Sequence, residues 1–509
     1  MSTQPQYGAP IQTGPVKVFG WMPLKVMGTG VIAITLGMFA MLAGSPLLGL
    51  GLVLVVFSVL LVGFVPFGAQ GRTVVQRLVA RFQHAQRVAR AETTFISSHM
   101  ANLPQKEQQC LPGFLKEIVP VKTQDGTGSD VEILHHQAVG MGTVTLACAP
   151  VGGASLPQGQ LNANVNGFAS WLGTLSKDNG LVGASIVVDS MRSSAQPMAD
   201  GIMETLAPNA PEVSKKILRE ATGMLPARVS RVRTYATLGW KLSALDDDRE
   251  GALAEITAKL PGHVSALSAA GSGKAYAMAD AHYGDLMYAA YNPAREAEIE
   301  QELYDGVRAL RHFNGAGPEY INANHKRVVL HDGVASMTAM LSIPDPQKIT
   351  ARTYRSLFEP SKHFLRKRVA LFYRPVPDSR QRARIDQAQR GFSMQWSSKK
   401  RNTAFDAKEG DVVNSAMKKM TNGAKLQEWC LMVTVTFEAN RKAQRAAENE
   451  LKAIMSGMKW TFADYVPEAA FHQTLPLGIF PWVYASNPMK WMSVKDDPTF
   501  AEEEEDGDV

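Results

Sequence analysis

Along most of the chain, short runs of alternating apolar and polar residues take turns with longer stretches of helical period. "DVEILHH" (130–136) and "GTVTLACAP" (142–150) alternate like a pair of strands. A helix follows over 159–180, with Phe168, Trp171, Leu172 and Leu175 on one face. The same reasoning predicts a strand over 181–191, a helix over 210–225, a strand over 228–243, a helix over 246–262 and a strand over 263–270. Asp246, Asp247 and Asp248 stand where helix-capping acids belong.

A second round begins with 326–343, which reads as a hairpin turning at Asp332–Gly333. Next come a helix over 350–358, a strand over 364–376 and a largely helical, basic region over 378–422. A strand over 426–439 then leads into a helix over 440–458 with Asn440 as its cap. The two rounds share a rhythm. The fold class they predict is α+β: two cytoplasmic modules, 111–313 and 314–488, with sheets of the split βαβ, ferredoxin-like kind.

The N-terminal pattern is different, because residues 26–71 carry no charged side chain. The run breaks at Gly44-Ser45-Pro46 into "MGTGVIAITLGMFAMLA" and "PLLGLGLVLVVFSVLLVGFVPF". An apolar helix needs roughly 20 residues to cross a bilayer, so 26–67 reads as a two-helix transmembrane hairpin. Basic residues flank it on both sides, and the first acidic residue is Glu92. That bias places the 1–25 tail and everything after the hairpin in the cytoplasm, as a two-pass protein of the inner membrane. Two other readings are a cleaved signal peptide around "AMLAGSP", against which the long second span speaks, and a buried hairpin, which would lack a polar face.

Residues 68–110 form a basic juxtamembrane helix and linker. Val75, Leu78, Val79, Phe82 and Val88 recur at helical spacing with arginines between them. Arg72, Arg77, Arg81, Arg87 and Arg90 are the candidate contacts to an anionic leaflet. The whole chain of 509 residues carries a formal charge of +6, yet residues 489–509 end it in an acidic run, Glu502 to Asp508, expected to stay solvated and disordered. Three cysteines without C-x-x-C spacing suggest neither a disulfide framework nor a zinc site.

Candidate chemistry is sparse. "SAAGSGKAYAMAD" (268–280) has a Gly-Ser-Gly-Lys that suggests a phosphate cradle, but the leading glycine of a P-loop would fall at Ser268 and its hydroxyl at Ala275. The glycines are expected to serve a strand-to-helix turn, with Lys274 in the first helical turn. His135 and His136, adjacent on a strand, point to opposite faces and do not share a metal easily. No catalytic, cofactor or metal residues are assigned, and the chain is read as no enzyme.

The conspicuous feature is charge. Arg366, Lys367 and Arg368 head one strand, and Arg380, Arg382, Arg384, Lys399, Lys400 and Arg401 follow it, with Phe392 and Trp396 interleaved. Such a patch suits an acidic protein face or a nucleic acid, against the plainer possibility of a solvated helix face.

Three stretches, "GFASWLGTLSKDNGLVGASIVVDSM" (167–191), "NPAREAEIEQELYDG" (292–306) and "YVPEAAFHQTLPLGIF" (465–480), together resemble a family of membrane proteins from actinobacterial conjugation, or type IV secretion-like, gene clusters. In that resemblance the hairpin looks like the small inner-membrane subunit of type IV secretion. The body looks like the non-motor N-terminal part of the transfer ATPase, with "LPLG" (475–478) at its end. It implies a structural subunit in a larger oligomeric complex, partnered by a separate transfer ATPase, other channel subunits and the lipid bilayer, with no cofactor. A membrane-core subunit of type VII secretion is the alternative resemblance, and a membrane-tethered enzyme with an unrecognised site the alternative class.

Overall fold

A computed structural model of the chain describes most of residues 74–484, excepting 99, 102, 105–107, 127, 151–155, 193–195, 208, 224–229, 344–354, 362, 399–403, 422–424 and 457, together with scattered residues between 17 and 53. The hairpin assigned to 26–67 lies largely outside the described residues. Among those described, no helix is long and apolar enough to cross a membrane. The acidic tail also lies outside them.

The first elements are α1 (Val74–Ala89), β1 (Thr94–Ile96), β2 (Ile118–Gln124), β3 (Asp130–His136) and β4 (Met141–Ala149). There follow α2 (Gln158–Leu175), β5 (Leu181–Arg192), α3 (Gln196–Glu204), α4 (Glu212–Gly223), β6 (Ser230–Lys241), α5 (Arg249–Leu267), β7 (Lys274–Ala277), α6 (Asp280–Tyr291) and α7 (Arg295–Asp305). The second round supplies β8 (Tyr320–Asn322), β9 (Val328–His331), β10 (Val334–Ile343), α8 (Arg355–Phe358), β11 (Arg366–Pro375), α9 (Asp378–Ser398) and α10 (Ala404–Thr421). The last are β12 (Gln427–Glu438), α11 (Arg441–Ile454), β13 (Lys459–Phe462) and α12 (Pro467–Gln473).

The protein is α+β, and its two rounds of pattern build one 13-stranded sheet in the order β1-β8-β9-β10-β12-β11-β5-β6-β4-β3-β2, with β13 also on β10 and β7 also on β4. Its strand ladders are antiparallel. Within each round the four main strands lie in the spatial order fourth, first, third, second: β7-β4-β6-β5 and β13-β10-β12-β11. Both rounds insert two helices between their second and third strands, α3 with α4 and α9 with α10. The second strands, β5 and β11, pair with each other, so the halves meet edge to edge with Val187 opposite Ala370.

Period-2 alternation gives this sheet two apolar faces. On one face, α2 and α5 cover the first half through Trp171, Leu175, Ile256 and Leu260. The second half is covered there by Leu357 of α8 and by Leu451 and Met455 on and just beyond α11. The other face carries a core that runs across both halves, under α6 and the segment from Ala463 to Tyr484. Phe480 and Trp482 stack at 5.4 Å and press on strand glycines. A Cβ at Gly239 would stand 2.5 Å from Phe480, and one at Gly183 2.6 Å from Trp482. Glycine is needed here for close approach.

Local signals are obeyed at several points. Asp248 caps α5 by accepting from the Gly251 N–H at 3.2 Å, and Asn440 caps α11 by accepting from the Ala443 N–H at 2.8 Å. Asp332 and Gly333 both take positive φ, as the tight hairpin requires. The strand expected over 263–270 is the end of α5 and the turn after it. Leu260 and Leu267 continue the buried stripe of Leu253 and Ile256, and that burial carries the helix past Pro261.

Candidate functional site

The Gly-Ser-Gly-Lys stretch runs from helix into strand, the reverse of the direction expected. Gly271 and Gly273 take φ of 87° and 67°, and Lys274 opens β7. A Cβ at Gly273 would meet the Ala149 carbonyl oxygen at 2.0 Å, so the glycine serves strand pairing. His135 and His136 do face opposite ways: His136 is buried and His135 half-buried. His136 Nε2 lies 2.9 Å from the Thr143 hydroxyl, and Nδ1 lies 2.5 Å from that of Tyr484. Burial pushes His136 down to about 3, which keeps the ring neutral.

Among the described residues, the basic cluster is split between the interior and the surface. Arg366, Lys367 and Arg368 are only 2%, 2% and 1% exposed, which corrects their reading as surface contacts. Arg366 Nε donates to both Asp189 oxygens at 2.9 and 3.0 Å, and its Nη1 donates to the Ala289 carbonyl at 2.7 Å. Burial opposes its charge, but Asp189 more than compensates and raises the Arg366 pKa. Lys367 points to the opposite face and donates to the Glu359 carbonyl. Arg368 lies 4.5 Å from the Phe471 ring centre, and its two terminal nitrogens find no hydrogen-bond partner among the described residues. Burial, then Arg366, lowers it to about 9. The three cations are interior because β11 is the central strand of the sheet.

The other described members of the cluster share one helix. Arg382 is exposed and Arg380 half-buried on α9, while Arg384 pairs with Glu428 at 3.1 Å. Lys399, Lys400 and Arg401 lie outside the described residues.

On α1 two large apolar side chains are turned outward, while Val79 and Val88 are half-buried. Leu78 and Phe82 are 59% and 63% exposed, with Arg81, Ala85 and Ala89 beside them on the exposed stripe. The opposite face holds the body: His84 is buried, with Nε2 3.1 Å from the Asn324 carbonyl oxygen and its ring against Tyr465. Of the candidate arginines, Arg81 and Arg90 are exposed. Arg77 and Arg87 are half-buried, Arg87 within electrostatic reach of Glu468. Arg72 has no described surroundings.

A cleft absent from the sequence reading has a volume of about 270 Å³ and opens between β4, β6, β7, α6 and α7. Tyr235, Met278, Leu286 and Ile299 give it an apolar floor, and Arg231, Arg233 and Arg308 stand at its walls. Beneath the arginines lie carboxylates. Arg233 pairs with Glu296, Arg231 with Glu300 at 3.3 Å, and Arg308 with Asp285 at 2.5 Å. The strand at Cys148 also borders the cleft, but its side chain packs on the opposite face of the sheet, where burial raises the thiol to about 11 and keeps it protonated. The cleft's lining comes from five elements, the loop before α6 and the loop after α7. The one local hint was the arginine alternation in "SRVRT" (230–234).

Among the described residues, no group of three or more His, Cys, Asp or Glu is placed to hold a metal ion. Fold and surfaces define an α+β body on one paired antiparallel sheet, with an N-terminal helix that shows apolar side chains to solvent. The chain matches no protein-family model and no curated protein.

Proposed function

We propose that the chain is a non-enzymatic structural component of a transfer channel in the inner membrane, of the conjugative, type IV secretion-like kind, which docks a separate transfer ATPase. The observation that carries this is the outward stripe of α1. Leu78 and Phe82 lie exposed on a helix whose other face is fixed to the body, and the helix directly follows the uncharged N-terminal block. Burying such side chains stabilises by roughly 1.5–3 kcal/mol each. A lipid surface at the end of a hairpin over 26–67 supplies that burial, and Arg81 and Arg90 sit where an anionic leaflet attracts them. Within the block itself, Met38, Phe39 and Leu42 are 58%, 74% and 83% exposed, as lipid-facing residues would be.

Both termini are then cytoplasmic, and the sheet is a rigid platform on the cytoplasmic side. Nucleic-acid contact uses α9 side chains such as Arg382, since Arg366 to Arg368 are buried, Arg366 at the joint between the halves. The resemblance of 167–191, 292–306 and 465–480 to the non-motor part of a transfer ATPase supports a role beside a motor. Purification of the tagged full chain from its native membrane in mild detergent is expected to bring down a P-loop ATPase in stoichiometric amount. Repeated recovery of the chain alone at native levels would contradict the proposal.

A further inference from the structure

The cleft of about 270 Å³ between β6 and α6 is apolar at its floor and electrically balanced at its walls. Arg231, Arg233 and Arg308 stand against Glu300, Glu296 and Asp285, three cations to three anions, each already paired. His282 adds no charge: its Nδ1 accepts from the Ala279 N–H at 3.2 Å, and burial, then Arg308, lowers its pKa. A charged ligand entering here would lose its hydration without meeting an unpaired counter-ion. At the mouth, Tyr276 and Leu303 extend the apolar surface, 46% and 48% exposed.

The floor also holds a polar group that the fold does not use. Tyr235 is 5% exposed there, and its hydroxyl makes no hydrogen bond to the described residues. In the other half, Met432 holds the sixth place of β12 as Tyr235 holds that of β6, and both side chains lie in the same core. The scaffold common to both halves is therefore packed without that hydroxyl. Ala147 on β4 stands opposite Tyr235 on one side and Tyr276 of β7 on the other, so the three side chains share the cleft face of the sheet. A small residue between two tyrosines leaves the hollow. We propose that the cleft binds a small uncharged molecule with an aromatic or branched apolar body and one carbonyl-type oxygen, which accepts a hydrogen bond from the Tyr235 hydroxyl. The body replaces water against Met278, Leu286 and Ile299, and the buried hydroxyl gains a partner.

The test uses the full chain in detergent with benzophenone, which is uncharged and aromatic and carries one ketone oxygen. On illumination that oxygen takes a hydrogen atom from a nearby C–H bond and the two carbon radicals join, so peptide mapping reads where the probe sat. Labelling at Met278, Leu286 or Ile299 is expected to saturate with probe concentration, whereas labelling elsewhere in the chain rises in proportion and serves as the reference. Against that reference, the anionic analogue 4-benzoylbenzoate is expected to label the cleft about tenfold less, because its carboxylate must be desolvated. Tyr235→Phe keeps the ring and removes only the hydroxyl. It is expected to raise the half-saturating concentration about fivefold, the worth of one ordinary hydrogen bond. Cleft labelling that never saturates, an anionic analogue that labels as well as the neutral one, or a half-saturating concentration untouched by Tyr235→Phe would each overturn the proposal.

Discussion

The two halves of the sheet solve one problem with the same parts. In the first, His136 ends β3 and its Nε2 meets Thr143, the third residue of β4, at 2.9 Å. In the second, His331 ends β9 and its Nε2 meets Ser336, the third residue of β10, at 2.8 Å. Two residues further, Thr145 meets Thr237 on the neighbouring strand at 2.9 Å, as Thr338 meets Thr434 at 2.7 Å. The halves part company at the start of their third strands. Arg231 and Arg233 are the second and fourth residues of β6, whereas Glu428 and Cys430 hold those places in β12. Glu428 is tied up by Arg374 and Arg384, but Arg231 and Arg233 border an open cleft. The buried hydroxyl and imidazole pairs keep the scaffold common to both halves, and the strand ends make them chemically distinct.

The largest effect is expected at the joint. Asp189→Asn leaves Arg366 buried without its carboxylate, which costs about 3–5 kcal/mol. If the halves act as one sheet, denaturant unfolding shows a single transition shifted by that amount. Two separable transitions, one of them unmoved, would show that the halves fold apart.

A smaller effect sharpens the equivalence of the two histidines. Burial drives His136 to about 3 and His331 to about 4, below an unfolded value near 6.5. The folded state therefore holds both rings neutral while the unfolded chain protonates them. Their stability contribution is fully present above pH 6.5 and is lost as pH falls toward the folded values. At pH 5 each costs on the order of 2 kcal/mol relative to neutral pH. Replacing either with Gln is expected to flatten the fall in stability between pH 7 and 5 by the same amount, read from denaturant melts. A strongly unequal flattening would break the equivalence.

Much of this sheet is legible as alternation, because each central strand has two apolar faces and turns marked by Gly, Asp or Asn. Asp248, Asn440 and the Asp332–Gly333 turn act through neighbours within a few residues, so the sequence displays them directly. Arg366 to Arg368 misled for the opposite reason. A charged triplet reads as surface until its partner is known, and Asp189 lies 177 residues away. The cleft draws its lining from segments scattered between Ala147 and Arg308, which no local pattern joins. In α1 the period marked the helix, but which stripe meets the body depends on Asn324 and Tyr465, far along the chain.

Membrane extraction tests the central claim most directly: a chain anchored through 26–67, with Leu78 and Phe82 at the lipid surface. Native membranes are washed with high salt, then with alkaline carbonate, then with detergent, and the intact chain is followed in each supernatant. A tethered scaffold stays with the bilayer through both washes and is released only by detergent. Release of the intact chain by salt or carbonate alone would contradict it.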